Sequence, residues 1–210
     1  DKAEPLYQRS LAIMEKALGP VHPDTAGSLP NLATLYQAMG VYNKAEPLNM
    51  RSLAIMEKAL GPEHPDTAAS LTNLAALYQA MGVYDKAEPL YGRSLVIYEK
   101  AVGPEHPYTA IALNNLAELY VALGRKGDAL VLTERAQGID RRQINQVLGF
   151  ASEAQQTQFL ATKEASLHAY LSLIRQRFTD NPNAVKNALD VWLARKGVLL
   201  ESLKRIQDVI

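Results

Sequence analysis

The 210-residue chain contains no cysteine. That excludes disulfides, thiolate metal sites and cysteine nucleophiles, and it fits a reducing compartment. There is also no run of about 18 apolar residues able to span a bilayer, and no basic start followed by an apolar stretch that would read as a signal peptide. The cytosol is therefore the expected location. Net charge is missing as well, because Lys plus Arg and Asp plus Glu both total 22. Residues 1–126 carry 11 basic and 13 acidic side chains and the remainder 11 and 9, so neither part hides an electrostatic specialty. Without a basic surface to release counterions or seek anionic lipid, neither nucleic acid nor membrane is an expected partner. No Ser, His and acid cluster, phosphate-cradling Gly-rich loop or His-rich metal motif stands out. The expectation is a protein that is not an enzyme and needs no cofactor.

What the sequence does contain is repetition. Residues 1–42 and 43–84 differ at only seven positions, namely 1, 7, 8, 21, 27, 30 and 34 of the first copy. A third copy starts at Asp85 and decays after Gly124, where "RKGDALVL" replaces "VYDKAEPL". A fixed period of this length marks a solenoid, whose units bury their apolar faces only against their neighbours. The chain opens "DKAEPLYQRS", without an initiator Met and inside a helix that its copies show complete. It reads as a fragment of a longer protein.

Each unit encodes two helices. From Asp66, residues Leu71, Leu74, Leu77 and Tyr78 have amphipathic three-and-four spacing, and Gly82 supplies a stop. This is helix A. Helix B is expected to open at Asn43 with a capping box to Glu46 and Pro47 in its first turn, and Leu48, Leu53, Ile55 and Leu60 contribute to its apolar side. The connector "GPEHP" keeps the helices separate. Pro30 stands where the other copies have Thr72 and Asn114. The first helix A should therefore start late, with Ser28 as cap, or be kinked.

The order Leu74, Ala75, Tyr78, Gly82, Tyr84, Ala87 and Tyr91 resembles the tetratricopeptide repeat. Ala33, Ala75 and Ala117 take the first small position and Ala3, Ala45 and Ala87 the second. The 42-residue period, extended helix B and "LGPEHPDTA" linker are similar to the kinesin light chain type. Asn49 departs from the pattern, occupying the aromatic position filled by Tyr7 and Tyr91. The resemblance implies an all-α fold: a right-handed superhelix, an α-α solenoid, followed by long antiparallel helices. The array spans 1–135, starting with a half-repeat (helix B), and 136–210 form a C-terminal helical extension.

The same resemblance puts the A helices on a concave groove that binds a peptide or partner protein. Its implied lining is Gly27, Pro30, Asn31, Thr34 and Gln37, then Ala69, Thr72, Asn73, Ala76 and Gln79, then Ile111, Asn114, Asn115, Glu118 and Val121. A carboxamide both donates and accepts, so Asn31, Asn73 and Asn115 can pair with an extended peptide backbone whatever its side chains; the alternative is that they tie neighbouring helices together. The lining has one Glu and no Lys or Arg, which argues against transferring the tryptophan-acidic cargo preference of eukaryotic kinesin light chains. Near-identical units favour a general or repetitive partner.

His22, His64 and His106 recur with the period. Neighbouring helices lie about 10 Å apart, whereas a zinc ion needs all its ligands at about 2 Å. The expected role is a linker histidine bonded to backbone. Past residue 127, Phe159, Leu160, Leu167, Leu171, Ile174 and Phe178 fall near heptad spacing, "TDNPNA" makes a turn, and Val185, Leu189, Trp192, Leu199, Leu203 and Ile206 share one side of a following helix. Two antiparallel helices of about 25 residues are expected. The segments "ERAQGIDRRQI", "SEAQQTQFL" and "ALDVWLARKGVLLESL" resemble the helical region that joins such repeats to caspase-like CHAT peptidase domains in bacterial proteins. That resemblance implies a bacterial source and, as an alternative function, the regulatory arm of a peptidase lying downstream. Gly197, beside Lys196, fits close helix packing, and Gln143, Gln146, Gln155, Gln156 and Gln158 a solvated face. Self-association through the repeat edge or the tail helices is a structural alternative.

Overall fold

A computed structural model describes residues 3–148 and 153–193, and these residues are helical with short connections. The chain divides after Leu123 into two compact units.

The first unit holds α1 (Ala3–Leu18), α2 (Pro23–Ala38), α3 (Tyr42–Leu60), α4 (Pro65–Ala80), α5 (Tyr84–Ala101) and α6 (Pro107–Ala122). Consecutive helices pack together along the chain, and the A helices α2 and α4 also touch directly. This is the expected solenoid of stacked helix pairs. Its core repeats with the sequence: Ala26, Leu29, Leu32, Ala33 and Tyr36 are buried on α2, and Ala68, Leu71, Leu74, Ala75 and Tyr78 on α4.

The linkers are built the same way each time. His22, His64 and His106 are N-caps whose Nδ1 atoms accept from the backbone N–H of Asp24, Asp66 and Tyr108 at 3.2, 3.1 and 3.1 Å. A proline follows at the first helical position, where its absent N–H is not missed. The hydroxyls of Thr25, Thr67 and Thr109 then donate back to the carbonyls of Gly19, Gly61 and Gly103 at 3.0, 2.8 and 2.7 Å. Gly61 sits at φ +98° and Gly82 at +75°, left-handed backbone that a side chain would strain.

Two local expectations are corrected. Helix B starts at Tyr42, not Asn43, and Val41 caps it without a side-chain bond. The expected capping box does not form, because Glu46 accepts the Tyr78 hydroxyl at 2.8 Å instead, as Glu4 accepts that of Tyr36 at 2.7 Å. The first helix A does not start late: α2 runs from Pro23 through Pro30. Pro30 cannot donate to the Ala26 carbonyl, but the buried Ser52 hydroxyl of α3 does, at 2.9 Å. Ser94 makes the equivalent bond to Ala68, also at 2.9 Å.

The B helices are pinned to the preceding linker. Arg51 reaches Glu15 at 2.7 Å and the Pro20 carbonyl at 2.7 Å, while Arg93 reaches Glu57 at 2.6 Å and the Pro62 carbonyl at 3.2 Å. These pairs are half exposed, so each contributes at most about 1 kcal/mol. Their value lies in fixing where one unit sits on the last.

The second unit holds α7 (Lys126–Leu148), α8 (Glu153–Thr162), α9 (Glu164–Arg177) and a helical stretch at 182–193. The turn at "TDNPNA" is present, and Leu167, Tyr170 and Ile174 pack with Ala184, Ala188 and Val191 in one buried cluster. Their mirrored spacing about the turn makes the two stretches antiparallel. One helix was expected through Phe178, but the chain breaks at Lys163. The Lys163 ammonium bonds Asp140 Oδ1 and Gln143 Oε1 of α7, both at 2.8 Å. Ser166 then donates to Asp140 Oδ2 at 2.9 Å, and Gln137 donates to Ser166 Oγ at 2.7 Å. Asp140 is buried, and this network satisfies it. On the last stretch the small stripe Ala184, Ala188 and Val191 faces the core, while Val185, Leu189 and Trp192 are 40, 51 and 37 % exposed. Leu199, Leu203, Ile206, Lys196 and Gly197 lie outside the described residues.

Candidate functional site

The A helices bury one side and leave a narrow stripe open. Beyond Asp24 in its first turn, the exposed positions of α2 are Gly27, Asn31, Thr34 and Ala38, which follow the four-three-four spacing of a single helical face. The same positions on α4 are Ala69, Asn73, Ala76 and Ala80, of which Ala76 is half-buried. On α6 they are Ile111, Asn115, Glu118 and Ala122, of which Asn115 is half-buried. On α2 and α4 small residues flank the carboxamide, so backbone from another chain can approach closely while donors and acceptors stand beside it; α6 carries Ile111 and Glu118 instead.

The carboxamides of Asn31, Asn73 and Asn115 make no hydrogen bond to the described residues. The flanking positions behave differently. Thr72 is half-buried and turns toward α5, donating to or accepting from Ser94 Oγ at 2.8 Å and bonding the Ala68 carbonyl at 3.0 Å. Asn114, at the equivalent position, is also half-buried, as are Gln37 and Gln79. The sequence-derived lining thus separates into an open stripe and an inner flank.

The junctions between B helices and the stripe are not alike. At the third, Tyr91 is 4 % exposed, and its phenol is pushed up to about 12 by burial first and by the Glu118 carboxylate second. At the second, Asn49 takes that place and is 3 % exposed. Its Nδ2 donates to the Asn73 backbone carbonyl at 3.5 Å, and its Oδ1 has no partner among the described residues. At the first, Tyr7 is 41 % exposed.

Sequence reasoning singled out neither the Glu46–Tyr78 and Glu4–Tyr36 bonds nor the Ser52 and Ser94 bonds, although each of these residues recurs with the 42-residue period. His22, His64 and His106 cap helices, and no group of three potential metal ligands occurs among the described residues. In the second unit an open hollow of about 480 Å³ is lined by Leu171, Ile174, Arg175, Val185, Leu189 and Trp192 among others. No helix of the described residues is long and apolar enough to cross a membrane.

Comparison with known proteins identifies the repeats. The tetratricopeptide repeat family model matches residues 25–88 and 70–142, and a second model of that description matches 1–24. Among solved structures, the nearly identical tetratricopeptide-like repeats of a kinesin light chain candidate from Podosopora anserina share 29 % identity, over 92 % of this chain and 87 % of that one, with a TM-score of 0.64. A single-residue variant of that protein gives 27 %, 97 %, 88 % and 0.64. BtubC (BKLC) of P. vanneervenii gives 26 %, 93 %, 74 % and 0.65. No curated protein matches the chain.

Proposed function

The chain belongs to the tetratricopeptide repeat family, scaffolds that generally mediate protein–protein interaction, and from that premise we propose that it is a non-catalytic module binding an extended peptide or partner segment along the open stripe of its A helices. The repeat array would occupy 1–135 and the helical extension 136–210. One observation carries the reading: Asn31, Asn73 and Asn115 recur on the open face with carboxamides that bond nothing else described. Were they ties between helices, they would have partners. Carboxamides at a helical-pair spacing can bond peptide groups of a chain laid across the A helices, and Ala69, Ala76 and Gly27 leave room for it. Thr34, Gln37, Thr72, Gln79, Asn114 and Glu118 complete the proposed lining.

The test is a peptide-display selection on the protein beside a variant carrying Asn73→Ala and Asn115→Ala, both first shown to be equally helical. Peptides enriched by the parent and lost by the variant support the reading. Equal enrichment by both would overturn it. A second reading rests on the tail segments, whose order resembles the linker of CHAT proteins: the module would regulate a downstream caspase-like peptidase. The parent reading frame decides this, since a peptidase requires a His and Cys pair beyond residue 210.

A further inference from the structure

We propose that the open hollow of the second unit is a docking trough for an amphipathic helix of a partner protein, one that carries apolar residues at heptad spacing and a carboxylate beside them.

The hollow, about 480 Å³, lies between α9 and the antiparallel stretch at 182–193. Leu171 and Ile174 form one wall, and Val185, Leu189 and Trp192 the other. From 185 to 192 the second wall rises about 10 Å, or two helical turns. Its three large side chains stay about half exposed, while Ala184, Ala188 and Val191 of the same stretch supply the buried core. The core of this unit is therefore closed without them.

A small molecule would lie here with one side in water, whereas small-molecule sites bury most of their ligand. Two antiparallel helices with an apolar trough between them have instead the shape that a third helix completes. The sequence carries the stripe further. After 185, 189 and 192 it resumes at Leu199, Leu203 and Ile206, giving spacings of four, three, seven, four and three. This is the repeat of a coiled-coil seam, which a pocket for a small molecule does not require.

Charge fixes the sign of the partner. Arg175 is the one charged residue of the lining, and its guanidinium has no partner among the described residues. The seam position that the apolar stripe skips is Lys196, a second cation. Asp190, the acidic residue of the described stretch, stands about 100° round the helix from Leu189. A second copy of this chain would set cation beside cation at the seam, so the matching carboxylate comes from a different protein.

A phage-displayed library of helical peptides tests this, with Leu fixed at heptad spacing and the flanking positions random. The full chain should enrich peptides with Asp or Glu at a flanking position. Their binding should shift and shield the fluorescence of Trp192, the single tryptophan of the chain. Leu189→Glu and Arg175→Gln, both at exposed positions, are first shown by circular dichroism to be as helical as the parent. Leu189→Glu should weaken binding about tenfold or more, since it removes a leucine from the contact. Arg175→Gln should weaken it about two- to fivefold, the worth of a half-exposed ion pair, and erase the preference for Glu over Gln in the peptide. No enrichment, enrichment without that preference, or binding that survives Leu189→Glu would each overturn the proposal. So would either rival occupant. Trp192 as well shielded from acrylamide in the free monomer as in the complex would assign the hollow to the chain's own residues beyond 193, and a dimer dissolved by Leu189→Glu would assign it to a second copy.

Discussion

Two serines in equivalent places should differ in what their hydroxyls are worth, and Pro30 is the reason. Ser52 and Ser94 are both buried and both donate at 2.9 Å to a buried helix A carbonyl, of Ala26 and Ala68 respectively. The Ala68 carbonyl also receives the helical N–H of residue 72, and the Thr72 hydroxyl at 3.0 Å. The Ala26 carbonyl has no helical donor, because residue 30 is proline. Ser94→Ala should therefore cost about 0.5–1.5 kcal/mol, an ordinary hydrogen bond. Ser52→Ala strands a buried carbonyl and should cost about 1–3 kcal/mol. The change in helix propensity is common to both and cancels. For a chain of this size 1 kcal/mol shifts Tm by about 2–4 °C, so circular dichroism melts of the two variants resolve the gap. Pro30→Thr restores the N–H at residue 30 and should close it. Equal losses in the parent background, or a gap that persists with Thr at position 30, would refute the reasoning.

Other predictions follow from neighbouring geometry. His64→Ala removes the Nδ1 acceptor from an N-cap and should cost about 1 kcal/mol, read from the same melts. Tyr78, Tyr91 and Tyr170 are each raised to about 12, chiefly by burial. Because the folded values lie above the unfolded value of about 10, the stability they contribute is complete below pH 10 and is lost as pH rises through 12. Alkaline titration followed by ultraviolet absorbance should show these phenols ionising together with unfolding, and Glu46→Gln should lower Tyr78 without returning it to 10. Lys163→Met strips a buried carboxylate of its cation and should cost about 3 kcal/mol or more, seen as faster amide exchange over residues 153–177. Arg93→Ala breaks a half-exposed pair and should cost at most about 1 kcal/mol, less at high salt.

The period and the apolar spacing made the helix pairs legible, because a unit that buries one face writes that face at three-and-four intervals. The open stripe was legible as their complement: what is neither core nor cap on helix A must face outward. Failures came where a side chain had two competing partners. Asn43 and Glu46 spell a capping box, but Glu46 is claimed by Tyr78, which lies 32 residues away. Lys163 has the surroundings of an unbroken helix, yet Asp140 and Gln143 draw its ammonium across to α7. In the last stretch residue size does not mark the packed side: Val185, Leu189 and Trp192 share one side as expected, but Ala184, Ala188 and Val191 join the buried cluster. Local pattern reports which contacts a residue can make. It does not report which of several remote groups arrives first.

The contacts that join the repeats each span a constant stretch of chain. Serine to alanine carbonyl is 26 residues, tyrosine to glutamate 32 and arginine to proline carbonyl 31, in the first copy and again in the second. Removing or inserting one whole 42-residue segment therefore recreates every seam with the same partners at the same separations. Recombination between the near-identical copies can lengthen or shorten such a gene by a full unit and still yield a foldable product. Array length becomes a quantity that inheritance can vary freely, while Asn49 and Pro30 remain landmarks that record which copy is which.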